Sequence, residues 1–275
     1  MDERSMPRGV NLLKRKHPGG HASLPAEAVS TPGRVLAAAL LADTLPGPPR
    51  AHPSRRVTAS LAMRWAHPPA GHAPNNGRFE RVSGLAPYIG VQGRIRDPQG
   101  RLVATSFALF AQLPSGVAPT LARAGVGAGP VTHSAALEPG PVPSVDEVGL
   151  AMAESIRAAA VTPGPASLPE LRVTIPVRAE WLNKIGILHG ASGTALLVMA
   201  GSVAAVGHDS PWPRVADLYL RFLEPVQTPE VTIVARVVRQ SARTVDVEVA
   251  LEMAGLTALT GRLLLVTGRA GGRAP

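Results

Sequence analysis

The stretch Asn183-Lys-Ile-Gly-Ile-Leu-His189-Gly190-Ala-Ser-Gly-Thr-Ala-Leu-Leu-Val-Met-Ala-Gly-Ser-Val-Ala-Ala205 decides how the rest of the chain is read. From Gly190 onward it is almost wholly apolar and built of small residues. A helix with no polar stripe has no face for water, so its place is inside the fold. It falls short of the roughly 20 apolar residues that a bilayer span needs. Segments alternating apolar and polar residues bracket it: residues 171–178 before, and residues 215–222, 231–239, 245–253 and 258–266 after. In the clearest of these, Val245, Val247, Val249, Leu251 and Met253 point one way, and Asp246, Glu248 and Glu252 the other. The pattern predicts an antiparallel sheet wrapped round one buried helix, an α+β arrangement.

Upstream the same order is legible. Val35-Leu-Ala-Ala-Ala-Leu-Leu-Ala-Asp43 predicts a second apolar helix, opened by Pro32-Gly33 and stopped by Pro46, Pro48 and Pro49. Residues 57–65 alternate, with Val57, Ala59, Leu61, Met63 and Trp65 on one face. Residues 79–85, residues 90–96, a turn at Asp97-Pro-Gln-Gly100 and residues 102–110 complete a meander. Helix then four strands therefore occurs twice, from Val35 to Phe110 and from Gly190 to Val266. Such a duplication makes a pseudo-dimer within one chain. Between the repeats, residues 114–143 are rich in Pro, Gly and Ala without a period, as in a linker. Ser144, with Glu147 three residues on, reads as the capping box of an amphipathic helix.

Asn183 and His189 with five residues between them, Gly190 after the His, the buried helix, four strands and the close Phe222-Leu-Glu-Pro225 together resemble the hotdog-fold acyl-CoA thioesterases of the phenylacetyl-CoA and 4-hydroxybenzoyl-CoA type. The resemblance implies a double hotdog: two antiparallel sheets, each wrapped around a central apolar helix, forming an intrachain pseudo-dimer. Its expected domains are an N-terminal hotdog with a basic arm at 1–113, a linker at 114–143, a C-terminal hotdog at 144–268 and a tail at 269–275. Whether residues 1–31 supply the opening strand that the first unit otherwise lacks is left open by the sequence.

Two positions depart from the family pattern. Ala191 stands where a second Gly is usual, and Val198 stands nine residues after the His, where the family carries its catalytic acid. Ungapped alignment of the two helices sets Arg34 on His189 and Asp43 on Val198. The first half thus keeps the acid and the second half keeps the loop. In the resembling enzymes these two parts of a site come from opposite subunits, so one complete site is expected and its mirror image is expected to be silent. The implied catalytic residues are Asp43 as base or nucleophile, Gly190 as oxyanion donor and Asn183 as the group positioning water or carbonyl. His189, Ala191 and Ser192 are expected to line the bound substrate, an acyl-CoA.

The chemistry gives each part a reason. Thioester hydrolysis passes through an oxyanion, which backbone N–H groups at a helix N-terminus can stabilise. Glycine lets the thioester come that close, and a carboxylate can activate water or attack directly. At the C-terminal end of an apolar helix, dipole and burial are both expected to disfavour the charge of Asp43.

Composition sets limits. With 45% apolar and 17% charged residues the chain is globular. It has no cysteine, which excludes thiol catalysis, thiolate metal sites and disulfides. The net charge of +9 comes from scattered Arg, and 3% aromatic content argues against a nucleic-acid surface. Most Arg are expected on solvated strand faces, with one or two available to the phosphates of CoA. The eight histidines show no metal-ligand spacing, so neither a metal nor a cofactor is expected, with CoA thioester as substrate only. Met1 to Lys16 lacks the order of a signal peptide, so a cytoplasmic protein with no membrane partner is expected. A homodimer of double hotdogs is a further expectation.

Other readings stay open at this level. Asp43 can mark a solvent-facing helix end, His189 can organise its loop, and Asn183 can cap it. Ser192 lies outside a Gly-x-Ser-x-Gly elbow, and Gly125-Val-Gly-Ala-Gly129 has no strand before it, which makes it a poor nucleotide loop. The rival function is a catalytically silent hotdog that binds acyl-CoA or serves as an assembly module. What separates the two is whether Asp43 faces Gly190.

Overall fold

The computed structural model describes residues 15–17, 21–23, 30–43, 56–66, 76–83, 88–112, 143–160, 170–183, 186–207 and 209–267. Most of the proposed linker and the tail lie outside these. The chain is α+β, with a large antiparallel sheet and few helices. In chain order the elements are β1 (Arg15–His17), β2 (His21–Ser23), α1 (Thr31–Ala42), β3 (Arg56–Trp65), β4 (Asn76–Ser83), β5 (Tyr88–Arg96) and β6 (Leu102–Gln112). There follow α2 (Val145–Ala159), β7 (Glu170–Pro176), a 3₁₀ turn (Ala179–Trp181), α3 (Gly190–Val206), β8 (Arg214–Phe222), β9 (Glu230–Gln240), β10 (Thr244–Met253) and β11 (Leu256–Val266).

The strand order β1-β2-β4-β5-β6-β3-β8-β11-β10-β9-β7 reads as one unit followed by its mirror image. In each unit the four strands after the helix lie in the order second, third, fourth, first. The two first strands, β3 and β8, pair antiparallel, Ala62 opposite Tyr219. Among the described residues the two sheets expected from the sequence are therefore continuous in a single sheet of 11 strands. At the far edges β7 pairs with β9, and β2 pairs with β4, His21 opposite Arg78. Residues 21–23 thus occupy the place in the first unit that the opening strand β7 holds in the second.

Burial follows the patterning. Every residue of α3 from Ala191 to Ala204 is buried, as a helix without a polar stripe requires. Val245, Val247, Val249 and Leu251 of β10 face it, and Met253 is only partly covered. The smaller α1 is Ala-rich and buried from Leu36 to Ala42. In α2 the capping box is complete: Glu147 N–H donates to Ser144 Oγ at 3.2 Å, and Ser144 N–H donates to Glu147 Oε2 at 2.6 Å. That second bond holds the Glu147 carboxyl below its usual range. On the outer face Arg64, Arg172, Arg236 and Arg262 pair with Asp217, Glu252, Glu170 and Asp246. Such exposed pairs contribute about 0–1 kcal/mol each, as expected of solvated strand-face arginines.

One expectation is corrected at β3. The register slips between Thr58 and Ser60, leaving Ala59 as the extra residue of a bulge. Thr58 then stands opposite buried Phe110, on the same face as Leu61 and Met63. Val57 and Ala59 therefore do not continue the inward row.

The turn between β5 and β6 is organised by Asp97, which is 3% exposed. Its Oδ1 accepts from Gln99 N–H at 3.0 Å and Arg101 N–H at 2.9 Å, and its Oδ2 accepts from Arg101 Nε at 2.7 Å. Burial pushes the Asp97 carboxyl up, but the hydrogen bonds and charge of Arg101, with the Gln99 N–H, outweigh it and hold the group below its ordinary value of 3.8. A depressed carboxylate contributes stability that is present above its unfolded pKa and lost as pH falls through the folded one. Urea titrations of wild type and Asp97→Asn should therefore differ most near neutral pH and converge progressively below about pH 4. A gap that is independent of pH would mean the charge plays no part.

Candidate functional site

Asp43 is the C-cap of α1, its backbone N–H bonded to Ala39 O at 2.8 Å. Its carboxylate is 5% exposed, so it does not mark a solvent-facing end. It crosses to the second unit, where a Cβ placed on Gly190 would lie 2.7 Å from Asp43 Oδ2 and 3.0 Å from Thr58 Oγ1. Only glycine fits there without displacing the carboxylate. Thr58, brought inward by the bulge in β3, donates from Oγ1 to Asp43 Oδ1. Thr58 was not anticipated from the sequence, because strict alternation places it on the outer face.

His189 is the N-cap of α3. Its Nδ1 accepts from Ala191 N–H at 3.1 Å and lies 3.2 Å from Asp43 Oδ2. One nitrogen thus faces a donor and a carboxylate. Asn183 sits in the entry loop, which is closed by Asn183 N–H to Ile187 O at 2.7 Å and by Ile187 N–H to Asn183 Oδ1 at 3.2 Å. His189 N–H donates to the backbone Trp181 O at 2.9 Å, anchoring the loop to the main chain of a fully buried residue. Ala191 and Ser192 are buried in the first turn of α3. The structure therefore brings Asp43, Thr58, His189 and Gly190 together, and holds Asn183 behind them as part of the loop frame.

Chemically this is a carboxylate oriented by one hydroxyl, next to first-turn N–H groups that a helix cannot satisfy internally. The partial positive charge of that N-terminus favours a developing oxyanion.

Residues 178–266 match the family model described as the acyl-CoA thioesterase N-terminal domain. Over this segment the chain is similar to the acyl-CoA thioesterase family. The resemblance carried by Asn183, His189 and Gly190 is thereby borne out. The matched segment begins at Arg178, just before the entry loop, and runs to the end of β11, so it contains the loop and α3 but not Asp43. No curated protein sequence matches the chain. Among solved structures, the tesB protein of Mycobacterium avium subsp. paratuberculosis is similar at 12% identity, with 94% of this chain and 96% of that one covered and a TM-score of 0.59. The acyl-CoA thioesterase II TesB2 of Mycobacterium marinum is similar at 12% identity, with 95% and 97% covered and a TM-score of 0.57. At such identity the likeness establishes a shared fold over nearly the whole of each chain. No helix among the described residues is long and apolar enough to cross a membrane.

Proposed function

We propose that the chain is a double hotdog that hydrolyses an acyl-CoA thioester to a free acid and CoA at one composite site between its two units. The observation that carries this is the position of the Asp43 carboxylate of the first unit against Gly190 of the second. The thioester carbonyl accepts from backbone N–H groups at the start of α3, Gly190 first. Asp43 removes a proton from water as the water attacks and the thiolate of CoA leaves, or it attacks the carbonyl itself, expelling the thiolate to form a mixed anhydride that water then hydrolyses to the free acid. Thr58 holds Oδ1 of Asp43, which leaves Oδ2 facing Gly190 and His189. His189, Ala191 and Ser192 form the wall against which substrate lies, and Asn183 holds the loop in register.

The mirror site lacks this set. Val198, aligned with Asp43, is 1% exposed in the core. In β8 the register slips between Asp217 and Val215, the counterpart of the bulge in β3, and puts Val215 where Thr58 stands. A site with two valines in place of acid and hydroxyl has no base. The separate units at 1–113 and 144–268, a cytoplasmic location and pairing of two double hotdogs belong to the same reading.

The test is release of free CoA from short, medium, long and aromatic acyl-CoAs by the full chain. Turnover of at least one class is expected; binding without turnover of any would favour the silent binder. Within this reading Thr58→Val should lower kcat by about 10- to 100-fold, the worth of one hydrogen bond to a charged group. Thr58→Ser should recover most of that loss in the same assay, and equal rates for Thr58→Val and wild type would remove Thr58 from the site.

A further inference from the structure

Among the described residues, two helix starts hold a carboxylate against a glycine. One is Gly190 with Asp43, to which Thr58 donates its hydroxyl. The other is the start of α1. Its N-cap Ser30 donates from N–H to Asp146 Oδ1 at 2.8 Å and from Oγ to the same oxygen at 2.5 Å. A Cβ on Gly33 would run into that oxygen and lie 3.0 Å from Asp146 Cα. Under the repeat relating the units α1 is the counterpart of α3, and the alignment that sets Asp43 on Val198 puts Val35 at the position of Gly190, one turn inside the start that Asp146 holds.

The two carboxylates differ in what brings them. Asp43 reaches Gly190 as the end of a side chain. Asp146 arrives with the first turn of α2, whose start is fixed by the Ser144 and Glu147 capping box. Helix α2 lies directly on α1: a Cβ on Gly149 would be 2.7 Å from both Gly33 N and Gly33 Cα and 2.9 Å from Pro32 C. Backbone against backbone leaves no path for a thioester with an acyl group on one side and a pantetheine arm on the other. An anion is the preferred ligand of a helix N-terminus, and here the chain supplies its own.

We infer that α2 closes the second pseudo-symmetric site from within, its first turn held over the start of α1 by the bonds of Ser30 to Asp146, so that each chain takes up one acyl-CoA. This rests on the proposed reading of the first site. It also goes beyond the missing acid at Val198: the second site is filled as well as disarmed.

Two measurements on the full chain test it. The first needs no ligand. Hydrogen exchange at the Ser30 amide and the first turn of α1 should be slow in wild type and roughly tenfold or more faster at Ser30 in Asp146→Ala, with α3 unchanged. Unprotected amides there in wild type, or no change in the variant, would overturn the plug whatever the protein's activity. The second is calorimetric titration with a non-hydrolysable S-alkyl-CoA thioether. One equivalent per chain, abolished by Gly190→Val, is expected. Two equivalents, or one that survives Gly190→Val, would place ligand at α1 and overturn the inference. Failure of the thioesterase reading would show separately, as absent CoA release by wild type with the exchange pattern intact.

Discussion

Replacing Asp43 by Asn should lower kcat for acyl-CoA hydrolysis by roughly 10²- to 10⁴-fold, the range expected for loss of a positioned general base. The substitution keeps the shape of the side chain and an oxygen that can accept from Thr58 Oγ1, so the C-cap of α1 and the bulge in β3 are retained. What is lost is the negative charge beside Gly190 and the capacity to take a proton. KM should move little, because the first turn of α3 still receives the carbonyl. The thermal midpoint should stay or rise slightly, since a carboxylate at a helix C-terminus opposes the macrodipole. Steady-state kinetics on the best acyl-CoA, with melting followed in parallel, reads both. A rate that stays within a few-fold of wild type would remove the carboxylate from the chemistry and leave the geometry at Gly190 without its proposed purpose.

The parts of this site were unequally legible in the sequence. Gly190 and His189 could be found because they stand where an apolar helix begins, and a helix start has unsatisfied N–H groups to offer. Asp43 could be singled out only through the internal repeat, which paired the acid of one half with the loop of the other. Its burial depends on the turn of the chain after Ala42, which local pattern does not encode. Thr58 was hidden by a single inserted residue. In a strand the side-chain period is two, so one bulge exchanges the inward and outward rows. A comparison of the repeats shows it after the fact: Ala59 and Ala216 are the extra residues of equivalent bulges, three residues before Leu61 or Leu218 stand Thr58 and Val215, and both face inward. Asn183 drew attention by its spacing from His189; the bond it accepts from Ile187 N–H shows that this spacing also closes the entry loop. The opening strand at His21–Ser23 was not legible, because three residues carry too little alternation to register.

Gly190→Ala tests the site from the other side, by moving the carboxylate without removing it. The added methyl group would begin 2.7 Å from Asp43 Oδ2 and 3.0 Å from Thr58 Oγ1, closer than such atoms approach. Alanine suits the first turn of a helix, so α3 itself gains propensity. The strain falls on Asp43, whose oxygen must retreat by several tenths of an ångström while Thr58 holds the other one. A displacement of about 1 Å in a reacting group can cost roughly 10²-fold in rate, and the methyl also crowds the carbonyl that approaches the N–H donors. We expect kcat/KM to fall by about that factor, with a melting temperature near that of wild type. Gly33→Ala is the matched control at the start of α1. There the methyl meets Asp146 and the backbone of α2, so overpacking of about 1–3 kcal/mol should appear as lost stability while turnover per folded chain is kept. Opposite signatures from a glycine in the first turn of each helix would separate the working site from the filled one. If both substitutions cost stability and neither costs rate, the carboxylate at Gly190 packs the interface between the units and the chemistry lies elsewhere.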